Sequence, residues 1–334
     1  MSEKLIAHAV KVIEKHHKRL IKMSKVKQMG VGFKITDGQI TNTVGLVVFV
    51  TKKPTDEQLR TQQIEPLPKQ IDGVVTDVVE IPGGFRPRGP DDARYRPFSG
   101  GVAMINPRTP GTGTLGLVLR KVGKKSSKLY GLTNNHIGAN EDVKGMSPPA
   151  AKKGDSWVQP GAHGGGKAPK DVIAKLYKWN RLIPSAPGMV NHYDVSVGEI
   201  VHDSLPHAKP YEIMDIGAVK GMDDINLGDK VMKRGRTTLD TTGRVIAVMQ
   251  SVQVEYSGYP CDFAGQVAIA GDSPSSPFSL PGDSGSLIVS ANVDNEGAHK
   301  AKALLFAGGE SSDGIDITIA SLIRRVAKDF RLKF

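Results

Sequence analysis

The stretch that decides the fold is Pro281-Gly282-Asp283-Ser284-Gly285-Ser286, where a serine lies in a tight turn between two glycines. Glycine accepts backbone angles that a side chain would forbid, so Gly282 and Gly285 allow a sharp turn here. In such a turn the amides of Gly282 and Ser284 can point together at one oxygen atom. An apolar strand, Leu287-Ile288-Val289, follows directly. We therefore predict a serine nucleophile with its own pair of oxyanion-binding amides.

Two motifs upstream complete the pattern. Leu132-Thr133-Asn134-Asn135-His136 closes an apolar segment, and Asn191-His192-Tyr193-Asp194-Val195-Ser196-Val197 places an acid before an alternating apolar strand. With the serine turn, they resemble the trypsin/chymotrypsin superfamily of serine proteases, which carries Leu-Thr-Ala-Ala-His, Asp-Ile-Ala-Leu and Gly-Asp-Ser-Gly. A serine hydroxyl needs a base and an acid that orients the base. The resemblance implies the catalytic residues His136, Asp194 and Ser284.

The order histidine, aspartate, serine matches the chymotrypsin class and not the subtilisin or α/β-hydrolase orders. Asn134 and Asn135 replace two alanines of that family, and their side chains need hydrogen bonds if they are buried. A second Gly-Asp-Ser, at residues 271–273, is followed by Pro274 and is interpreted as a loop turn. Four other acids remain alternatives to Asp194, since each can equally cap a turn: Asp142, Asp155, Asp171 and Asp203.

The resemblance also implies a substrate pocket. Its base would be the residue six before the nucleophile, Phe278, and its walls would be Ala307-Gly308-Gly309. Without an aspartate at the base, we expect a small or apolar residue before the scissile bond. Asp316, near the far wall by sequence offset, would reverse this preference.

Asp283 raises a question of activation. In digestive relatives the equivalent acid pairs with an amino terminus that cleavage creates. Asp92-Ala93-Arg94-Tyr95-Arg96-Pro97 has the composition of an exposed, cleavable segment. Two hypotheses follow: processing near residues 92–97 activates the chain, or Asp283 is paired internally and activity is constitutive.

Composition limits the class of protein. The 334 residues are 39% hydrophobic, enough for a sizeable core in two or three folding units. Cys261 is the one cysteine, so no internal disulfide can form, which fits a reducing cytoplasm. The first residues lack the apolar run of a secretory signal, since His8 interrupts Leu5-Ile6-Ala7, and no membrane-length apolar run occurs.

The formal net charge of +11 is concentrated at the two termini. Residues 1–30 carry eight Lys/Arg and two acids, and residues 321–334 carry five and one. Solvated helix faces explain such charges, and with 5% aromatic residues we expect no nucleic-acid partner.

No metal site or cofactor is predicted, because the nine histidines form no dense ligand cluster. The P-loop-like segment 161–168 has Ala168 where a Ser or Thr would hold magnesium.

We predict a mostly β fold: a chymotrypsin-like double β-barrel with a C-terminal helix, preceded by a small N-terminal α/β unit. The expected divisions are an amphipathic basic helix over residues 1–25, the α/β unit over 26–90, a linker over 91–97, and barrels over 98–200 and 201–334. Apolar residues 322, 323, 326, 327 and 330 indicate the terminal helix.

Further motifs narrow the resemblance. Gln159-Pro160-Gly161, Asn191 to Asp194, and Lys233-Arg234-Gly235-Arg236-Thr237-Thr238 are similar to bacterial trypsin-like peptidases related to the plant narrow-leaf proteases. The predicted function is an intracellular serine endopeptidase that cleaves protein or peptide substrates through an acyl-enzyme. The alternative is an inactive protease fold that serves as a binding scaffold. The N-terminal region could gate the site, recognise a target, or bind a regulatory partner or a second copy.

Overall fold

The computed structural model describes residues 3–20, 26–36, 39–50, 53–61, 66–80, 90–123, 128–272, 276–310 and 315–334. The chain divides into two compact units, residues 1–88 and 89–334. Of the helices in these described ranges, none combines the length and the apolar character needed to cross a membrane.

The N-terminal unit is a small α/β structure. Its elements in chain order are α1 (Glu3–Leu20), β1 (Val26–Thr36), β2 (Gln39–Val50), α2 (Asp56–Thr61), β3 (Gln70–Ile71) and β4 (Val74–Glu80). The strands form one sheet in the order β1-β2-β4-β3, with β2 and β4 parallel. Helix α1 buries Ala9 and Val12 in a core with Leu46 and Val74, because these residues repeat at helical spacing.

The second unit begins with short strands. They are β5 (Phe98–Gly100), β6 (Ala103–Met104), β7 (Gly113–Thr114), β8 (Leu117–Lys121), β9 (Tyr130–Thr133), β10 (Ser156–Val158), β11 (Val172–Trp179) and β12 (Ser196–Ile200), with a one-turn helix α3 (Asn135–Gly138) after β9. Strands β10-β11-β12-β9-β8 form an antiparallel sheet around a core that contains the fully buried Trp157.

The next eight strands belong to a second sheet. They are β13 (Ala208–Ile213), β14 (Gly217–Met222), β15 (Lys230–Gly235), β16 (Leu239–Tyr256), β17 (Tyr259–Gly271), β18 (Leu287–Ser290), β19 (His299–Glu310) and β20 (Asp316–Leu322). Six of them pair in the order β18-β15-β16-β17-β20-β19, and β18 also pairs with β19, so these six form a closed barrel, while β14, β13 and β5 continue the sheet beyond β19. Closure leaves no free edge among these six strands.

The chain ends in helix α4 (Ile323–Phe330) and strand β21 (Leu332–Lys333). The helix buries Ile323, Val326, Ala327 and Phe330, which share one face at the spacing expected from sequence. Strand β21 then pairs with β8, so the C-terminus returns to the first sheet. The predicted fold class, mostly β with a C-terminal helix after a small α/β unit, is confirmed.

Residues 91–97, expected to be a linker, have no regular secondary structure, but several of their side chains bind within the second unit. The Arg234 guanidinium donates to Asp91 at 2.6 Å, and Arg236 donates to both oxygens of Asp92 at 2.7 and 2.8 Å. These ion pairs fix the segment against β15 and the turn that follows it.

Phe278 was expected at the base of the substrate pocket, and this prediction is wrong. Its side chain is fully buried inside the closed barrel, packed with Val231, Val245 and Ile288. The residue precedes the serine turn where the chain still lies in the barrel interior, and an aromatic ring gains more from that core than from a cleft wall.

Replacing Phe278 with alanine should lower the free energy of unfolding by about 3–5 kcal/mol, because a large cavity remains in a closed core. Both tryptophans, Trp157 and Trp179, lie in the second unit, so their fluorescence during denaturant unfolding reports on this unit. Leu227→Ala, at a side chain that is 65% exposed, is the control and should change little. An equally small effect of Phe278→Ala would contradict the core assignment.

Candidate active site

Strand β9 leads directly to His136. The strand is buried along its length, and the short helix α3 that follows presents His136 from its first turn. Asn134 and Asn135 are fully buried, and both have partners: Asn134 Nδ2 donates to the Asp194 carbonyl at 2.7 Å, and Asn135 Nδ2 donates to the Asp142 carbonyl at 3.0 Å. The two asparagines therefore fix the His136 loop against the segment that carries Asp194.

Asp194 orients His136. Its carboxylate is fully buried, and Oδ2 lies 2.5 Å from His136 Nδ1. Oδ1 accepts the backbone N–H groups of Asn135 at 2.6 Å and His136 at 3.3 Å. An ionised carboxylate only accepts hydrogen bonds, so Nδ1 carries the proton in this pair. His136 Nε2 is thereby left free to accept a proton.

A tyrosine hydroxyl is a further hydrogen-bond donor to the Asp194 carboxylate. Tyr256, at the end of β16, donates its hydroxyl to Asp194 Oδ2 at 2.9 Å, and its ring centroid lies 5.9 Å from that of His136. Burial, followed by the neighbouring Asp194 charge, raises the pKa of Tyr256 well above its ordinary value near 10. The hydroxyl consequently stays protonated and remains a donor over the whole working pH range.

The serine turn lies against the end of β9. Gly282 and Gly285 have φ values of +105° and +95°, which only glycine adopts easily. A Cβ at Gly285 would collide with the Thr133 hydroxyl and the Thr114 carbonyl, so glycine permits this close approach. The Ser284 carbonyl accepts from Thr114 N at 2.8 Å. Because Thr133 lies three residues before His136, the turn and the histidine loop are neighbours.

The amides of Gly282 and Ser284 are available to a ligand. Among the described residues, neither N–H donates to another protein group, whereas the intervening and following amides donate to Leu280 and Leu305. The same described ranges contain no hydrogen bond between Ser284 Oγ and His136. Such catalytic hydrogen bonds are often long before substrate binds.

Asp283 is paired inside the protein. Its buried carboxylate accepts the backbone N–H groups of Leu280 at 2.9 Å and Thr237 at 2.7 Å, and the Thr238 hydroxyl at 2.7 Å. The Lys233 ammonium, also fully buried, lies 3.4 Å away. Burial lowers the pKa of Lys233, and the Asp283 charge opposes that shift. Of the two hypotheses on Asp283, these contacts agree with internal pairing.

Arg236 supports the same turn from outside. Asp92 holds its guanidinium, and a Cβ at Gly282 would come within 2.9 Å of Arg236 Nη1. The Arg236 backbone N–H also donates to the Thr114 hydroxyl at 3.0 Å, and that hydroxyl donates to the Gly282 carbonyl at 2.9 Å. The segment expected to be cleavable thus stabilises the residues around Gly282.

A cleft of about 530 Å³ is lined in part by Ser284, and we call it the Ser284 cleft. Its lining includes the expected wall, Ala307-Gly308-Gly309, but not Phe278. The full lining is Pro277, Ser279, Leu280, Pro281, Ser284, Leu305, Ala307, Gly308, Gly309, Glu310 and Asp316.

The four alternative acids have other partners. Asp142 accepts the Trp179 indole N–H at 2.7 Å, Asp155 pairs with Arg108, Asp171 with Arg94, and Asp203 with His202. Within the described ranges, His136 contacts Asp194 and none of these four. In the second Gly-Asp-Ser segment, residues 271–273, the Asp272 carboxylate accepts a hydrogen bond from the Thr242 hydroxyl. Ser273 lies outside the described residues.

Three residues of the site carried no functional signal in the sequence. Tyr256 lies on a long hairpin strand, Lys233 was noted only within a motif, and Asp316 only by offset. Each reaches the site through barrel closure, which no local pattern encodes. The part of the chain that the structure describes contains no group of three or more His, Cys, Asp or Glu arranged to hold a metal ion.

Several solved structures are similar to this chain over about 70% of its length. Protease A of Thermobifida fusca aligns over 70% of this chain and 96% of its own, with a TM-score of 0.44 and 14% identity. A chymotrypsin of Cellulomonas bogoriensis aligns over 71% of this chain and 97% of its own, with a TM-score of 0.44 and 14% identity. An α-lytic protease homologue, N4, aligns over 70% of this chain and 97% of its own, with a TM-score of 0.43 and 20% identity. No family model matches the chain, and no curated protein does.

At these identities and TM-scores the likeness assigns no activity to this chain. Its chemistry depends on the contacts described above.

Tyr256→Phe should slow modification of Ser284 by a fluorophosphonate by up to about tenfold at neutral pH, the effect of one lost hydrogen bond. Without the Tyr256 donor, the Asp194 carboxylate loses one of the hydrogen bonds that hold it beside His136. Measuring the labelling rate at neutral pH tests this, with Tyr259→Phe as the control at an exposed ring. An unchanged rate would limit Tyr256 to packing.

Lys233→Met should lower the free energy of unfolding by about 3–5 kcal/mol, because Asp283 is left as a buried charge without a cation. Adding Asp283→Asn should recover part of this loss, as no buried charge then remains. Lys220→Met, which breaks an exposed pair with Glu296, is the matched control and should cost less than about 1 kcal/mol. Equal costs at both lysines would show that Lys233 does not balance Asp283.

Proposed function

We propose that this chain is a serine endopeptidase that hydrolyses peptide bonds in protein substrates through Ser284, His136 and Asp194. The observation that carries the proposal is the buried Asp194 carboxylate, whose Oδ2 lies 2.5 Å from His136 Nδ1. The loop that carries His136 lies against the serine turn. With Nδ1 bonded to Asp194, Nε2 is the imidazole nitrogen that would act as the base for Ser284.

The proposed reaction has two halves. Ser284 Oγ attacks the carbonyl carbon of the scissile bond while His136 Nε2 takes the hydroxyl proton. The tetrahedral intermediate collapses, His136 returns the proton to the leaving amine, and an acyl-enzyme ester remains. Water then attacks the ester with His136 again as base, which releases the acid and restores Ser284. Asp194 stays ionised throughout and stabilises the imidazolium.

The free amides of Gly282 and Ser284 support a role in stabilising the oxyanion. Each donor should contribute about 3 kcal/mol to transition-state stabilisation, by analogy with single-donor removal in other serine proteases. The ion pair and amides around Asp283 hold this turn without a new amino terminus. We therefore propose constitutive activity and not activation by cleavage near residues 92–97.

One observation favours a second candidate function. The described residues contain no hydrogen bond between Ser284 Oγ and His136, as expected of a protease fold retained for binding alone. The free oxyanion amides and the open Ser284 cleft favour the enzyme, since neither is needed by a scaffold. The roles of the N-terminal unit in gating, target recognition or oligomerisation remain hypotheses.

We propose that the protein works in the cytoplasm, because a single cysteine suits a reducing compartment. Cys261 is buried, and this burial raises its pKa to about 11. It is therefore a thiol and not a thiolate at neutral pH, and does not compete with Ser284 as nucleophile.

A fluorophosphonate probe tests the proposal. The full chain should gain one probe mass, whereas Ser284→Ala should gain none and His136→Ala should react at least about a thousandfold more slowly. Ser251→Ala, at an exposed serine on β16, is the matched control and should label like the parent. Circular dichroism spectra of all variants check folding. A folded parent chain that does not label contradicts the enzyme and favours the binding scaffold.

A further inference from the structure

The Ser284 cleft has an acidic wall. Of its lining residues, only Glu310 and Asp316 are charged, and both carry carboxylates. They face each other across the β19–β20 pair, at the ends of the two strands. The rest of the lining is apolar or neutral, so no cationic side chain of the described residues lines the cleft beside these acids.

Neither carboxylate has a cationic partner among the described residues. Other acids of the second unit, such as Asp171, Asp229 and Asp283, are paired with Lys or Arg. Two unpaired acids in a concave site provide a negative potential that attracts a cationic ligand.

Asp316 is held in a defined position. Its Oδ2 accepts the Ser279 backbone N–H at 3.3 Å and the Thr318 hydroxyl at 3.4 Å. Ser279 and Thr318 are joined by a hydroxyl–hydroxyl hydrogen bond of 2.6 Å. These contacts attach the carboxylate to the segment that leads into the serine turn. Both donors are neutral, so the charge of Asp316 is not balanced, and its Oδ1 accepts no hydrogen bond from the described residues.

The wall of the cleft suits the stem of a long side chain. Leu280, Leu305 and Ala307 line the cleft together with Ser284 and the two acids, and they supply apolar surface on which methylene groups can pack. A lysine or arginine side chain combines such a stem with a cationic end. A volume of about 530 Å³ accommodates either one.

We propose that the Ser284 cleft selects substrates with lysine or arginine immediately before the scissile bond, and that Asp316 is the residue that binds the cationic group. This inference rests on the proposed peptidase function. It replaces the preference for small or apolar residues expected from sequence, because the acid stands on β20 and not at position 278. Glu310, at the exposed end of β19, adds to the potential without fixing the ligand.

The test compares two diphenyl phosphonate probes that differ only at the end of one side chain, with lysine in one and norleucine in the other. Both react covalently with an activated serine, and intact mass gives the rate. In the full chain the lysine probe should react about ten- to a hundredfold faster than the norleucine probe, as expected for one charged hydrogen bond.

Asp316→Asn keeps the size and one acceptor oxygen of the side chain but removes its charge. It should bring the ratio of the two rates close to one while leaving the norleucine rate within about threefold. Glu310→Gln should lower the ratio less than Asp316→Asn does. Asp203→Asn, at a fully exposed acid outside the cleft, should leave the ratio unchanged.

A fluorophosphonate without a specificity side chain distinguishes failure of the proposed lysine or arginine preference from failure of the proposed peptidase function. If it labels Ser284 but norleucine reacts as fast as lysine, the preference is refuted and the peptidase proposal stands. If it does not label the folded chain, both are refuted. Should Asp316→Asn fail to fold, the ratio in the parent chain still decides whether a cationic side chain is preferred.

Discussion

The site depends on one buried carboxylate, Asp194, and on the hydrogen-bond donors that surround it. Desolvation would cost Asp194 several kcal/mol if it had no partners. Two backbone amides, the Tyr256 hydroxyl and the His136 Nδ1–H offset this cost. These donors come from both halves of the second unit. Orientation of the histidine therefore requires that the first sheet and the closed barrel fold against each other.

A second buried carboxylate shapes the other half of the site. Asp283 holds the serine turn through Lys233 and the amides of Thr237 and Leu280, while Asp92 and Arg236 hold it from the opposite side. An internal lysine needs no cleavage event to reach its partner. Both Asp194 and the turn that carries Ser284 are thus held by contacts that the folded chain itself supplies.

Local patterns in the sequence predicted much of this arrangement. The Gly-Asp-Ser-Gly turn requires glycine at positive φ, and the terminal helix has an apolar face, so both were visible in the residues themselves. The prediction for Phe278 was wrong because it used only the distance along the sequence from Ser284. That distance does not say whether a side chain faces the barrel core or the cleft. Tyr256 and Asp316 were missed or left open, because they reach the site only when strands β16 and β20 join the closed ring.

The central claim is that Asp194 fixes the proton of His136 on Nδ1 and leaves Nε2 free for Ser284. Nitrogen NMR of the histidine-labelled full chain at neutral pH measures this directly, with the His136 signal assigned by its loss in His136→Gln. The account predicts a neutral imidazole protonated at Nδ1, which changes in Asp194→Asn but not in Ser284→Ala. A proton on Nε2 in the parent chain would contradict it.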